Sequence, residues 1–182
     1  MLKKALFSVA AAAVIAGGAF GAELMGGEVA IGEPIEKNGM EIAAVYLAPI
    51  EMEPRGIDLA ASKADIHLEA DIHAIKGNKN GFGEGDWIPY LRIAYKLENL
   101  STKKLVKEGV FMPMVAQDGA HYGANVAIEK AGHKVGKYRV TYVIQNPEAN
   151  GFGRHTDKAT GVGKWFEPFS VSYEFDYKGT PK

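Results

Sequence analysis

Residues 64–75 read Ala-Asp-Ile-His-Leu-Glu-Ala-Asp-Ile-His-Ala-Ile, alternating apolar and ionisable side chains as far as Ala74. A period of two belongs to a β-strand, whose successive side chains point to opposite faces. One face takes Ile66, Leu68, Ala70, Ile72 and Ala74, and the other takes Asp65, His67, Glu69, Asp71 and His73. The unit Asp-Ile-His occurs twice, six residues apart, so both copies face the same way. A helix would scatter these groups, so this segment commits the chain to sheet structure.

Other segments follow suit. Strands are predicted over 40–47, 87–98, 105–116, 136–145 and 169–177, separated by Gly, Pro and Asn. The segment 51–57 reads as a turn-rich connection, 77–86 as a loop, and 146–165 as a longer loop of the kind that often carries function. No long helical pattern intervenes. The expected fold is all-β, an antiparallel β-sandwich.

The first residues set the compartment. Lys3 and Lys4 precede an apolar run from Ala5 to Ala16, and small residues follow. This is the order of a secretory signal peptide over 1–22, cut after Gly21 or Ala22. The run is short for a membrane span. The remaining residues, about 160, fit a single domain over 23–182 with no further stretch suited to membrane insertion. Losing Lys3 and Lys4 takes the formal charge from −1 to about −3, and the bases are scattered, so nucleic-acid binding has no electrostatic footprint. The chain has no cysteine. That excludes thiol nucleophiles, zinc–cysteine knuckles, iron–sulfur clusters and blue-copper sites. A metal would be held by His, Met, Asp, Glu or backbone.

The candidate residues follow from that restriction. The plainer reading of Asp65–His73 is a polar outer face on a half-buried strand; the sharper one makes His67 and Glu69 metal ligands. Neighbours on one face lie about 7 Å apart at the backbone, close enough to share an ion. His73 lies about 20 Å along the strand from His67 and belongs to a second site or to none. Met112 and Met114 flank Pro113 on one strand face, which suits either gap-filling or a soft metal. Proline there indicates an edge strand or a bulge. His121 falls in a segment, 118–123, read as an exposed turn. His155 lies in the long loop, and His133 in a hairpin turn. Gly81–Gly85 joins two strands and is no dinucleotide fingerprint. The run 161–165 lacks the hydroxyl of a phosphate loop. No hydrolase motif is present.

The longer motifs carry a resemblance. They are Met-Glu-Ile-Ala-Ala-Val-Tyr-Leu at 40–47, Met-Glu-Pro-Arg-Gly at 52–56, the alternating segment at 64–74 and Phe-Met-Pro-Met-Val-Ala at 111–116. His-Tyr-Gly-Ala-Asn at 121–125, Gly-Arg-His at 153–155 and Thr-Gly-Val-Gly-Lys-Trp-Phe-Glu-Pro-Phe at 160–169 complete the set. With these the chain resembles the periplasmic ferrous-iron transport protein family, dimeric immunoglobulin-like proteins of high-affinity iron uptake. The resemblance implies an immunoglobulin-like sandwich in the periplasm, a homodimer with its metal site near the subunit interface, and an inner-membrane iron permease as partner. It implies a copper ion held by His67, Met114, His121 and His155, with Glu69 as a nearby carboxylate ligand, and iron as the second metal. Some relatives carry a histidine where this chain has Gly153. His133 is demoted; His73 and Met112 become supporting, and Asp118 a further hard ligand. The implied function is a metal carrier rather than an enzyme. The rival readings are a copper chaperone relying on Met112 and Met114, a copper-dependent iron reductase or oxidase, and a purely adhesive module.

Overall fold

The computed structural model describes residues 23–24 and 27–182. The expected signal peptide, 1–22, lies outside the described residues. Among the described residues, eleven strands form two antiparallel sheets, so the fold is the expected all-β sandwich. In chain order they are β1 (Glu23–Leu24), β2 (Glu28–Ala30), β3 (Ile35–Lys37), β4 (Met40–Leu47), β5 (Ile66–Ala74) and β6 (Arg92–Asn99). Then come β7 (Lys104–Val110), β8 (Met112–Ala116), β9 (Gly119–Val126), β10 (Gly136–Gln145) and β11 (Phe169–Tyr177). One sheet has the order β1-β2-β4-β5-β9-β8, with β3 also pairing β4; the other has the order β11-β10-β6-β7.

The core lies between the sheets, built by period-two alternation. From the larger sheet come Ile42, Ala44 and Tyr46 on β4 and Ile66, Leu68, Ala70 and Ile72 on β5. From the smaller come Ile93, Tyr95 and Leu97 on β6 and Tyr138, Val140, Tyr142 and Ile144 on β10. Two tyrosines cross the core and bond the opposite backbone. Tyr142 donates to the carbonyl of Glu69 at 2.8 Å, and Tyr173 to that of Ile42 at 2.7 Å. A buried phenol needs such a partner, and these two fix the sheets against each other.

Three expectations need correction. The stretch 105–116 is two strands in different sheets. β7 pairs β6, β8 pairs β9, and Phe111, buried between them, is where the chain changes layer. The stretch 87–98 becomes a ladder strand only at Arg92, because Tyr90 has a positive φ of 61° and Trp87 makes only an isolated bridge to His73. The segment 118–123 is not an exposed turn. Ala116 pairs with Gly119, so the turn shrinks to Gln117 and Asp118, and His121 lies inside β9. Pro113 sits on β8, an edge strand, where its missing N–H leaves no gap in the ladder.

Candidate metal centre

The site forms on the outer face of the larger sheet, where β5, β9 and β8 lie side by side. The β5–β9 register sets His67 opposite Asn125 and Glu69 opposite Gly123, and the β8–β9 register sets Met114 opposite His121. Even spacing along β9 puts His121, Gly123 and Asn125 on the face that carries His67 and Glu69. That face would be wet on an ordinary antiparallel sheet. Here the connection between β4 and β5 covers one end of it, and His67, Glu69, His121 and Asn125 are buried.

One carboxyl oxygen of Glu69 stands 3.4 Å from His67 Nε2 and 3.2 Å from His121 Nε2. One ligand atom from each residue lies within 4.8 Å of the other two. Both Nε2 atoms are buried and lack a hydrogen-bond partner. Unpaired buried nitrogens are costly, and two of them aimed at one carboxyl mark a place built for something else.

Electrostatics point the same way. Burial holds the His67 imidazole down at about 4 and lowers His121 as well, so both favour the neutral, lone-pair-bearing form. Burial, with Asp71, Glu28 and Asp118 nearby, pushes Glu69 up to about 8. Burial and the neighbouring acids push Glu28 to about 7; burial and Asp118 push Asp71 to about 6. The contacts between Glu69 and the imidazoles are therefore not ion pairs at neutral pH. A carboxyl proton can serve one nitrogen at a time; a cation serves all three groups.

Room for the His67 ring is preserved at Gly123. A Cβ there would stand 2.5 Å from His67 Nε2 and 3.2 Å from the Leu68 carbonyl. The imidazole rests against bare backbone, and any other residue would expel it from its place.

A cavity of about 970 Å³ opens from this point, lined by Glu69, His121, Met112, Met114, Glu28, Asp118 and the segment Ile50–Pro54. A smaller adjoining space of about 240 Å³ is lined by Glu28, Glu69, Asp71, His73, Asp118 and His121. The structure thus brings together His67, Glu69 and His121 and sets Met114 beside them. It does not bring His155 to them. His155 is exposed, bonds Thr160, and belongs to a loop tied to Lys79 and Asn80, just beyond the other end of β5. Sequence reasoning left out Glu28, Gly123 and Asn125. Glu28 carries no signal in the sequence. Gly123 and Asn125 would have followed from reading His121 as part of a strand.

A family model described as Fe2+ transport protein matches residues 25–179. The chain belongs to that family. Among curated relatives, a UPF0423 protein of Brucella abortus is 53% identical over 167 residues, 90% of this chain and 88% of the relative. The 34 kDa membrane antigen of Treponema pallidum is 39% identical over 157 residues, 84% of this chain and 75% of the antigen. Among solved structures, the copper-reconstituted P19 protein of Campylobacter jejuni is 69% identical with a TM-score of 0.84. The match covers 86% of this chain and 100% of that one. A copper-bound glutamate-to-glutamine variant of FetP from uropathogenic Escherichia coli is 60% identical with a TM-score of 0.80, covering 84% and 98%. The Fe2+ transport family is one of transport proteins, not of enzymes, and no helix among the described residues is long and apolar enough to cross a membrane.

Proposed function

We propose that this Fe2+ transport family member is a periplasmic carrier that holds copper at His67, His121 and Met114 and takes up iron beside it. The observation that carries the proposal is the pair of buried, unpartnered imidazole nitrogens converging on Glu69. Two neutral imidazoles and a thioether suit copper. Bound copper would supply a soft, redox-active ion at the base of the cavity. Iron, the cargo, prefers hard oxygen donors, and Glu69 shares the adjoining space with Glu28, Asp71 and Asp118. A copper-only chaperone would have no use for those four carboxyl groups.

The remaining parts follow from the same reading. Residues 1–22 export the chain. His155 cannot complete the site of its own chain, so the fourth ligand comes from a second copy in a homodimer. The cavity hands iron to an inner-membrane permease.

Calorimetric titration tests the assignment of metals. His121→Ala should keep the fold but lose Cu(II) binding, whereas Asp71→Asn with Asp118→Asn should keep copper and lose Fe(II) or its stand-in Mn(II). Unchanged copper binding in His121→Ala overturns the copper site. Unchanged Mn(II) binding in the double variant overturns the carboxyl site for iron.

A further inference from the structure

Asn125 lies on β9 directly opposite His67 and is 2% exposed. Every hydrogen-bonding position of its side chain is taken. Nδ2 donates to the carbonyls of Ile50 at 2.9 Å and Leu59 at 2.7 Å. Oδ1 faces the Ile50 N–H at 3.2 Å and His67 Nδ1 at 3.1 Å. The backbone N–H of Asn125 donates to Asp58 Oδ2 at 2.6 Å. An amide has two donor hydrogens and one oxygen with two lone pairs, so this residue is saturated.

That saturation decides two orientations. Rotating the amide by half a turn would set its oxygen against two carbonyls and its NH2 against an N–H donor, so the amide has one acceptable placement. With the oxygen toward His67, the facing ring nitrogen must donate. Neutral His67 therefore carries its proton on Nδ1 and its lone pair on Nε2, the atom aimed at Glu69. Without that acceptor, the proton could move to Nε2 and bond the Glu69 carboxyl, turning the lone pair away from the site.

We propose that Asn125 is a positioning residue that fixes the His67 tautomer for metal binding while clamping the 50–59 segment over the same face. The two roles share one side chain, because the donors that hold the segment also fix where the acceptor points. The link to metal rests on the copper site proposed above; the tautomer and the clamp do not.

The test therefore begins with the metal-free protein. Long-range imidazole 15N–1H correlation spectra of the full mature chain should show His67 neutral and protonated at Nδ1; protonation at Nε2 overturns the proposal. Asn125→Asp keeps the acceptor and loses the donors. It should preserve the tautomer while amide exchange across 50–59 speeds by tenfold or more. Asn125→Leu loses both and should release the tautomer, speed the same amides and weaken Cu(II) binding by about 10- to 100-fold, as orienting partners of ligand histidines do. A switched tautomer in Asn125→Asp, or an unchanged one in Asn125→Leu, overturns the positioning role. Unchanged exchange in both variants overturns the clamp. Should wild-type protein show the Nδ1–H tautomer and bind no copper, the copper reading fails while the positioning of His67 stands.

Discussion

Between pH 4.5 and about 8 the folded chain retains a proton on Glu69 that the unfolded chain has released, because burial and neighbouring acids raise this carboxyl. A group with a raised folded pKa contributes stability that is complete below its unfolded value and is lost as pH rises through the folded one. Glu28 and Asp71, raised to about 7 and about 6, act in the same direction. His67 acts in the opposite direction. Its pKa is lowered from 6.5 to about 4, so its contribution is present above 6.5 and lost as pH falls toward 4. Three raised carboxyls outweigh the lowered imidazoles over this range, so the metal-free protein should lose stability steadily as pH rises from about 5 to 8. Glu69→Gln substitutes a permanently neutral group of similar shape. It should raise the thermal midpoint by roughly 3–6 °C at pH 8.5 and change it little at pH 5. Calorimetric scans at the two pH values check this, and equal shifts at both would mean that Glu69 does not hold the proton.

Strands β4, β10 and β11 begin and end where alternation alone predicts, and β5 differs only by losing its frayed ends. Their legibility has one cause: each sets a row of large apolar side chains against the other sheet, and on β5 the opposite row stays ionisable although His67 and Glu69 are buried too. β9 is harder to read. It is also buried on both faces at Tyr122, Gly123, Ala124 and Asn125, and its rows are interrupted by glycine, alanine and asparagine. Gly123 is there because His67 occupies the space of a side chain, and Asn125 because it holds that histidine. These turn-forming residues make the strand read as a turn, so the constraint that builds the site also hides it. The change of sheet at Phe111 is hidden for another reason: the alternation continues through a residue that belongs to both layers. At this scale β10 supports β5 through Tyr142, whose hydroxyl satisfies the Glu69 carbonyl from across the core. Tyr142→Phe should cost about 0.5–1.5 kcal/mol, the net worth of one buried hydrogen bond, since the Glu69 carbonyl also lies within the ladders of β5. Urea denaturation measures it; a loss under ~0.5 kcal/mol would mean that water or a shifted strand replaces the bond.

For the whole molecule, four of the five ligand residues singled out in the sequence lie together and the fifth, His155, lies elsewhere. His67 stands near the start of β5, while the loop carrying His155 is pinned to Lys79 and Asn80, after the strand has run roughly 20 Å further. A two-fold axis removes the difficulty, since in a symmetric dimer the far end of one chain can meet the near end of the other. The cavity mouth has the surface for such a contact: Val115 is 79% exposed and Ile57 50%, beside the partly exposed Met112 and Met114. In the proposed homodimer each site would draw on both chains, which no single-chain site does. His121→Ala and His155→Ala homodimers each lack one ligand in every site. When the two are unfolded together and refolded, half the dimers are mixed, and each mixed dimer contains one site with all its histidines and one lacking two. About a quarter of all sites should then regain high-affinity copper binding. Titration of the refolded mixture against the separate variants reads this directly. If affinity stays as low as in the parents while sedimentation shows mixed dimers, His155 serves its own chain or serves no metal, and the shared site is wrong.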